Sequence, residues 1–280
     1  MQGPTPVQWT RDTPWRQGSV LPQAIAERLQ LTSQDNSDTT CAVVISHDCD
    51  LANSNLESEP AVEVIPARIV HAANGNFLGG KSPRTLHLKM KRGGEEVVVE
   101  LLINAKRTVP KAELAEQRPD PEFALDQREL RTLQRWLASR YFRAAFANRF
   151  VDAMDAAGAS DQLARVLKRR GELVSVVYFD VREGAQTEPR SEALYELTIV
   201  LMFPPGANPE ESGQQADALA ETIGNALRTK LTPVYGIKLV DCFAVSEDDM
   251  RVGHTRRLSE WHLEYMTLRS GEEQPTSPGL

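Results

Sequence analysis

The first half of the chain alternates with a period of two. Between Arg84 and Lys91 the apolar positions Leu86, Leu88 and Met90 fall on one side of an extended segment. Arg92-Gly93-Gly94-Glu95 then supplies a tight turn, and Glu96–Ile103 is the matching partner, so the pair predicts a β-hairpin. Upstream, Ala42–Ser46 is a continuous apolar run rich in β-branched residues, the pattern of a buried strand. Ala61–Val70 reads as the next strand, with Pro66 predicting an edge or a bulge. A short strand over Gly18–Leu21 precedes Pro22, which suits the first turn of a helix over Gln23–Leu31. Residues 1–17, with Trp9, Trp15 and three prolines, read as extended or loose.

After the punctuation of Arg118-Pro-Asp-Pro121 the period changes. Leu130, Leu133, Leu137 and Tyr141 stand at i, i+3, i+7 and i+11, the spacing of one helical face. Two shorter helices are predicted over Asn148–Ala156 and Ser160–Arg170, the second with Ser160 as N-cap and Gly171 as stop. Strands return over Glu172–Val181 and Tyr195–Phe203. An amphipathic helix over Gln214–Leu231 follows, then strands over Ile237–Val245 and Trp261–Leu268. The order predicts an α+β protein. Residues 1–115 form a β-rich, barrel-like domain, 116–171 a helical segment and 172–269 a ββαββ layer, with a disordered tail over 270–280.

Composition narrows the function classes. Of 280 residues, 41% are hydrophobic and 25% charged, the balance of an ordinary globular chain. A net charge of −7 leaves no global positive field to draw in nucleic acid, so any such contact needs a local basic surface. Three cysteines at irregular spacing do not make a disulfide framework. The N-terminus has neither a basic nor an apolar leader region, and no apolar run approaches the ~20 residues that cross a bilayer. The expectation is a cytoplasmic protein without a membrane partner.

The densest chemistry closes the buried run at 42–46: His47, Asp48, Cys49 and Asp50 are consecutive. As a catalytic cluster they supply an imidazole, two carboxylates and a thiol. His47, Asp48 and Asp50 together offer the nitrogen and oxygen donors that suit a divalent metal. Period-two geometry opposes a single site, because it sends His47 and Cys49 to one face and the two aspartates to the other. A strand end in which an aspartate bonds the following turn and Cys49 packs as a small apolar residue accounts for the same residues.

Gln17-Gly-Ser-Val-Leu21, then Ala42-Val-Val-Ile-Ser46 followed by Asp48 and Asn53, then Val62-Glu-Val-Ile-Pro66, resembles the PemK/MazF toxin barrel over roughly residues 16–110. That resemblance implies a small SH3-like barrel and a prokaryotic defence or toxin–antitoxin-like setting. The family's cleavage residues have no counterpart. Its Arg-Pro before the second strand is Thr40-Cys41 here, and its Thr/Ser after the proline is Arg68, with Ala67 between.

Two further motifs compete for function. Gly75-Asn-Phe-Leu-Gly-Gly80-Lys81-Ser82 satisfies the phosphate-loop pattern, but Pro83 follows at once and no βαβ unit surrounds it, so a Gly-rich surface loop is expected. Arg128, Arg131 and Arg135 stand at i, i+3 and i+7 on the helix opposite its leucines, a stripe suited to phosphate, nucleic acid or an acidic protein and diluted by Glu129. The balance favours a binding or assembly module without a cofactor, with a protein partner or a second copy docking on the arginine helix. The alternative is a metal-assisted phosphodiester or nucleotide hydrolase built on His47, Asp48 and Asp50.

Overall fold

A computed structural model describes residues 8–33, 38–139, 141, 146–182 and 194–262. The chain is α+β. It divides into two units: the described residues up to Ala73 with Arg84–Arg135, and Asn74–Pro83 with the described residues from Trp136 onward. The division does not follow the composition change near 116. Residues 74–83 leave the first unit because their backbone and lysine bond the second: Gly75 N donates to Lys168 O, and Lys81 Nζ donates to the carbonyls of Gly171 and Val174.

In the first unit, β1 (Thr40–Val44), β2 (Ala61–Val70), β3 (Thr85–Arg92), β4 (Glu95–Leu102), β5 (Arg107–Pro110) and β6 (Phe123–Ala124) form a curled antiparallel half-barrel. Its order is β1-β2-β4-β3-β6, and β5 pairs with the first half of β2. The β3–β4 hairpin turns on Gly93 and Gly94, both at positive φ, the conformation a two-residue turn demands. The strand expected over Gly18–Leu21 is a single bridge, Val20 to Val43. Its backbone still bonds β1 at Ala42 and Val44. β1 is thus paired on both sides, which explains why every one of its residues is buried.

Pro66 corrects the expectation of an edge or bulge, because it lies inside a strand paired on both sides. Ala42 and Val44 bond the Gly18–Leu21 segment, so Cys41 and Val43 are the residues that bond β2, opposite Ala67 and Ile65. Pro66 therefore turns its nitrogen away from β1. On that side β5 stops at Val64 and β4 begins at Ala67. The missing donor falls in the gap between two partners, where no ladder bond is lost.

One face of this sheet carries Ala42, Val44, Val62 and Val64 and packs with Trp9, Trp15, Leu21, Leu51 and Leu114. The described part of the segment expected to be extended or loose, residues 8–17, therefore contributes Trp9 and Trp15 to the core. Trp9 and Trp15 are buried and each indole N–H reaches a carbonyl, of Leu51 at 2.7 Å and of Leu114 at 3.1 Å. Three short helices frame this core: α1 (Gln23–Arg28), α2 (Asp48–Ala52) and α3 (Lys111–Leu114). The longer α4 (Gln127–Ser139) contains the point where the two units divide.

In the second unit, β7 (Val176–Val181), β8 (Tyr195–Phe203), β9 (Ile237–Ser246) and the two-residue β10 (Ser259–Glu260) form a sheet in the order β10-β7-β8-β9. β8 and β9 are parallel, joined through α7 (Pro209–Arg228), which starts at the Asn208 cap and buries Ala216, Leu219, Ile223 and Leu227. α5 (Asn148–Ala156) and α6 (Ala159–Arg170) complete the core around Phe150, Phe179 and Trp261. α6 is capped by Gly158 at positive φ and not by Ser160, which is buried one position inside the helix. The one-turn α8 (Val252–Thr255) precedes β10. The strand predicted over Trp261–Leu268 falls mostly outside the described residues, as does the tail at 270–280.

Candidate functional site

β1 ends at Val44, two residues before the polar cluster. Ser46 is buried, and its hydroxyl accepts from Glu63 N at 2.8 Å. The strand then breaks, and His47 becomes the N-cap of α2, its Nδ1 accepting from Cys49 N at 3.2 Å. Asp48, Cys49 and Asp50 follow as the first turn of the helix. The period-two argument consequently does not apply, and the four side chains fan around one turn. All four residues are exposed, while Leu51 on the inner side is fully buried. That burial contributes about 2 kcal/mol toward holding the turn in place.

The turn is pinned from beneath by groups that sequence reasoning missed. Lys111 is wholly buried, and its Nζ donates to Asp50 O at 2.6 Å and Asn53 O at 2.8 Å. Its ammonium sits 5.4 Å from the centre of the Trp9 ring. Burial lowers the Lys111 pKa, opposed by the nearby carboxylates of Glu59 and Asp50. Together with Trp9 Nε1 on Leu51 O, these bonds satisfy the carbonyls that end a helix of only five residues. A lone lysine beginning a short helix gives no sequence signal of this role.

The cluster is also tied sideways. Gln17 N donates to Asp48 Oδ1 at 2.8 Å, and the Gln17 side chain donates from Nε2 to Ile45 O at 2.7 Å. Gln17 Oε1 in turn accepts from Gln134 Nε2 at 2.9 Å. Gln134 lies on α4 between Arg131 and Arg135. A single buried glutamine therefore joins two features that stand about eighty residues apart in the sequence: the polar turn at His47–Asp50 and the arginine helix.

On α4 the inward side carries Leu133 and Trp136, both buried. Tyr141 was expected to continue that face; it lies beyond the helix end and is 79% exposed. Arg128, Arg131 and Arg135 are exposed on the opposite side. At about 100° per residue, Arg131 is roughly 60° around from Gln134, toward solvent. Glu129 still interacts electrostatically with Arg128, as expected, but it also has a second role. It turns toward the sheet, where Oε2 accepts from Lys89 N at 3.1 Å along the outer edge of β3. Desolvation raises its pKa above the ordinary carboxylate value. The one acid in the first turn is thus committed to a strand edge that would otherwise present an unpaired donor.

The other motifs prove to be structural. The Gly75–Ser82 loop is not on the surface: Lys81 and Ser82 are buried, and two of the three lysine donors are committed to the carbonyls of Gly171 and Val174. A Cβ on Gly75 would meet Leu167 O at 2.1 Å, so the glycine serves close packing and not a phosphate. Ser246-Glu247-Asp248-Asp249, an acidic run in the sequence, closes a turn after β9, with Asp249 N and Met250 N donating to Ser246 O. A second polar row crosses the half-barrel: Glu100 on β4 takes Arg68 of β2 at 2.6 Å and His87 of β3 at 3.2 Å. Those two partners, His87 foremost, hold the Glu100 pKa below the usual carboxylate value.

The donor set expected for a divalent metal is not assembled. His47 is occupied as a cap and Asp48 is drawn to Gln17, and among the described residues no three His, Cys, Asp or Glu side chains are grouped to hold a metal ion. Cys41, Cys49 and Cys242 are free thiols. Burial raises the pKa of Cys41 and of Cys242 to about 12, so neither is a thiolate at neutral pH. No helix among the described residues is long and apolar enough to cross a membrane. No family model matches the sequence, and no curated protein or solved structure matches it either.

Proposed function

We propose that the chain is a non-catalytic binding or assembly module whose recognition surface is the corner formed by the His47–Asp50 turn and the arginine face of α4. The observation that carries this reading is the Gln17 bridge, which touches Asp48 and Gln134 at once. It holds two exposed, polar, chemically distinct elements against each other on a buried frame, the arrangement a recognition site needs. Glu129 is shared between Arg128 and Lys89 N, and Arg128, Arg131 and Arg135 are all exposed on that face. An acidic partner fits that side of the corner. A defence or toxin–antitoxin-like setting belongs to the same proposal and rests on the resemblance of residues 16–110 to the toxin barrel.

The test is retention of the full chain on immobilised heparin, a polyanion probe. Binding despite a net charge of −7, with loss of retention in Arg128→Glu/Arg131→Glu, is the expected result. Elution unchanged by the double reversal would remove the arginine face from the function.

A further inference from the structure

Resting on that reading of the corner, we infer that its partner is a protein presenting an acidic helical segment with a basic residue at its flank, and not a nucleic acid. The corner is of mixed sign. Arg128, Arg131 and Arg135 run about 10 Å along α4 at 1.5 Å per residue. Tied to the same helix through Gln17 and Gln134 stands exposed Asp48, one of whose carboxylate oxygens accepts from Gln17 N. A phosphate backbone is negative along its whole length, so a strand following the arginines onto the turn meets the Asp48 carboxylate. No aromatic ring stands in the stripe to stack a base.

A protein surface can match both signs. Carboxylates at i, i+3 and i+7 of a partner helix repeat the spacing of the three arginines, and a lysine or arginine beyond them faces Asp48. Such alternation weakens all-acidic competitors, heparin included, relative to a mixed-charge partner without abolishing their binding to the arginines, because like charges are brought together at the turn. Asp48 keeps its place when uncharged: its acceptor for Gln17 N is a single oxygen, which asparagine reproduces. Its charge and its structural role are therefore separable.

The experiment measures fluorescence anisotropy of four labelled probes titrated with the full chain. These are a helical peptide with three glutamates at that spacing and a flanking lysine, the same peptide with glutamate replacing the lysine, a DNA duplex and a single-stranded RNA. The expected order places the lysine-bearing peptide first. Arg128→Glu/Arg131→Glu should weaken it roughly tenfold, and Asp48→Asn should erase its advantage over the all-acidic peptide without unfolding the turn. If a nucleic acid binds more tightly than either peptide, and the arginine reversal abolishes that binding, the corner remains a recognition surface and the protein-partner inference falls. If no probe responds to the arginine reversal, the reading of the corner itself falls.

Discussion

Gln17 and Gln134 are 117 residues apart and share a 2.9 Å hydrogen bond, from Gln134 Nε2 to Gln17 Oε1. Gln17 is buried, and its own amide donates to Ile45 O just beyond the end of β1. Through this one residue, its side chain on Gln134 and its backbone N–H on Asp48, the helix that bears the arginines is registered against the turn that bears the acids. The relationship makes a corner out of two separate motifs.

The two glutamines should be energetically coupled. A double-mutant cycle over Gln17→Ala and Gln134→Ala, followed by urea unfolding, is expected to give a coupling of about 0.5–1 kcal/mol. Gln17→Ala alone should cost more, about 1–2 kcal/mol, because it also leaves the carbonyl of Ile45 without its donor. Additive single-mutant effects would show that the bond contributes nothing in solution.

Lys111 should behave as the keystone of the exposed turn. Lys111→Met preserves bulk but leaves Asn53 O without this donor and Asp50 O with only its bond from Asn53 N, and is expected to cost about 2 kcal/mol. Amide exchange should accelerate first at Asp50 and Leu51, whose N–H groups bond His47 O, while the β3–β4 amides stay protected. Uniform acceleration across the first unit would contradict a local role.

Lys81 should prove insensitive to nucleotides. Lys81→Met is expected to destabilise the chain by about 2 kcal/mol through the lost lysine bonds to the carbonyls of Gly171 and Val174, the first of which keeps its bond from Val174 N. Adding ATP or GTP with magnesium to the unmodified chain should leave the melting temperature unchanged. A ligand-dependent rise lost in Lys81→Met would restore the phosphate-loop reading.

The acid limb of stability should depend on Glu100. Its folded pKa lies below the unfolded value of 4.5, so the native state binds fewer protons and gains stability above that value. The contribution disappears as pH falls from 4.5 through the folded pKa, when the carboxyl is protonated beside His87 and Arg68. Glu100→Gln should therefore flatten the loss of stability below pH 4.5 while lowering stability at neutral pH. Parallel pH profiles for the two proteins, measured by urea midpoints, would refute the linkage.

The elements themselves were legible because each rests on a local pattern. Alternation at 84–91 and a Gly-Gly turn specify a hairpin whatever surrounds them, and helical spacing at 214–231 locates most of α7. Boundaries that depend on distant partners were not legible. Trp9 and Trp15 sit in a proline-rich stretch without periodicity, and only the carbonyls of Leu51 and Leu114 give their indoles a buried place. Pro66 reads as an edge residue until the gap between β5 and β4 is seen.

By itself the sequence determined an α+β chain, its main strands and helices, an acidic net charge with a basic helix face, and a cluster of reactive groups at 47–50. Those properties follow from residue type and near-neighbour spacing. Tertiary structure alone decided what the groups can do. It turned the strand end into a capped helical turn, spent Glu129 on the edge of β3 and buried Lys111 and Lys81 against carbonyls. It also set the turn beside the arginines through Gln17. Apart from the local His47 cap, each of those outcomes is a hydrogen bond between residues remote in sequence, satisfied because a buried donor or acceptor left unpaired costs more than the loop closure that pairs it.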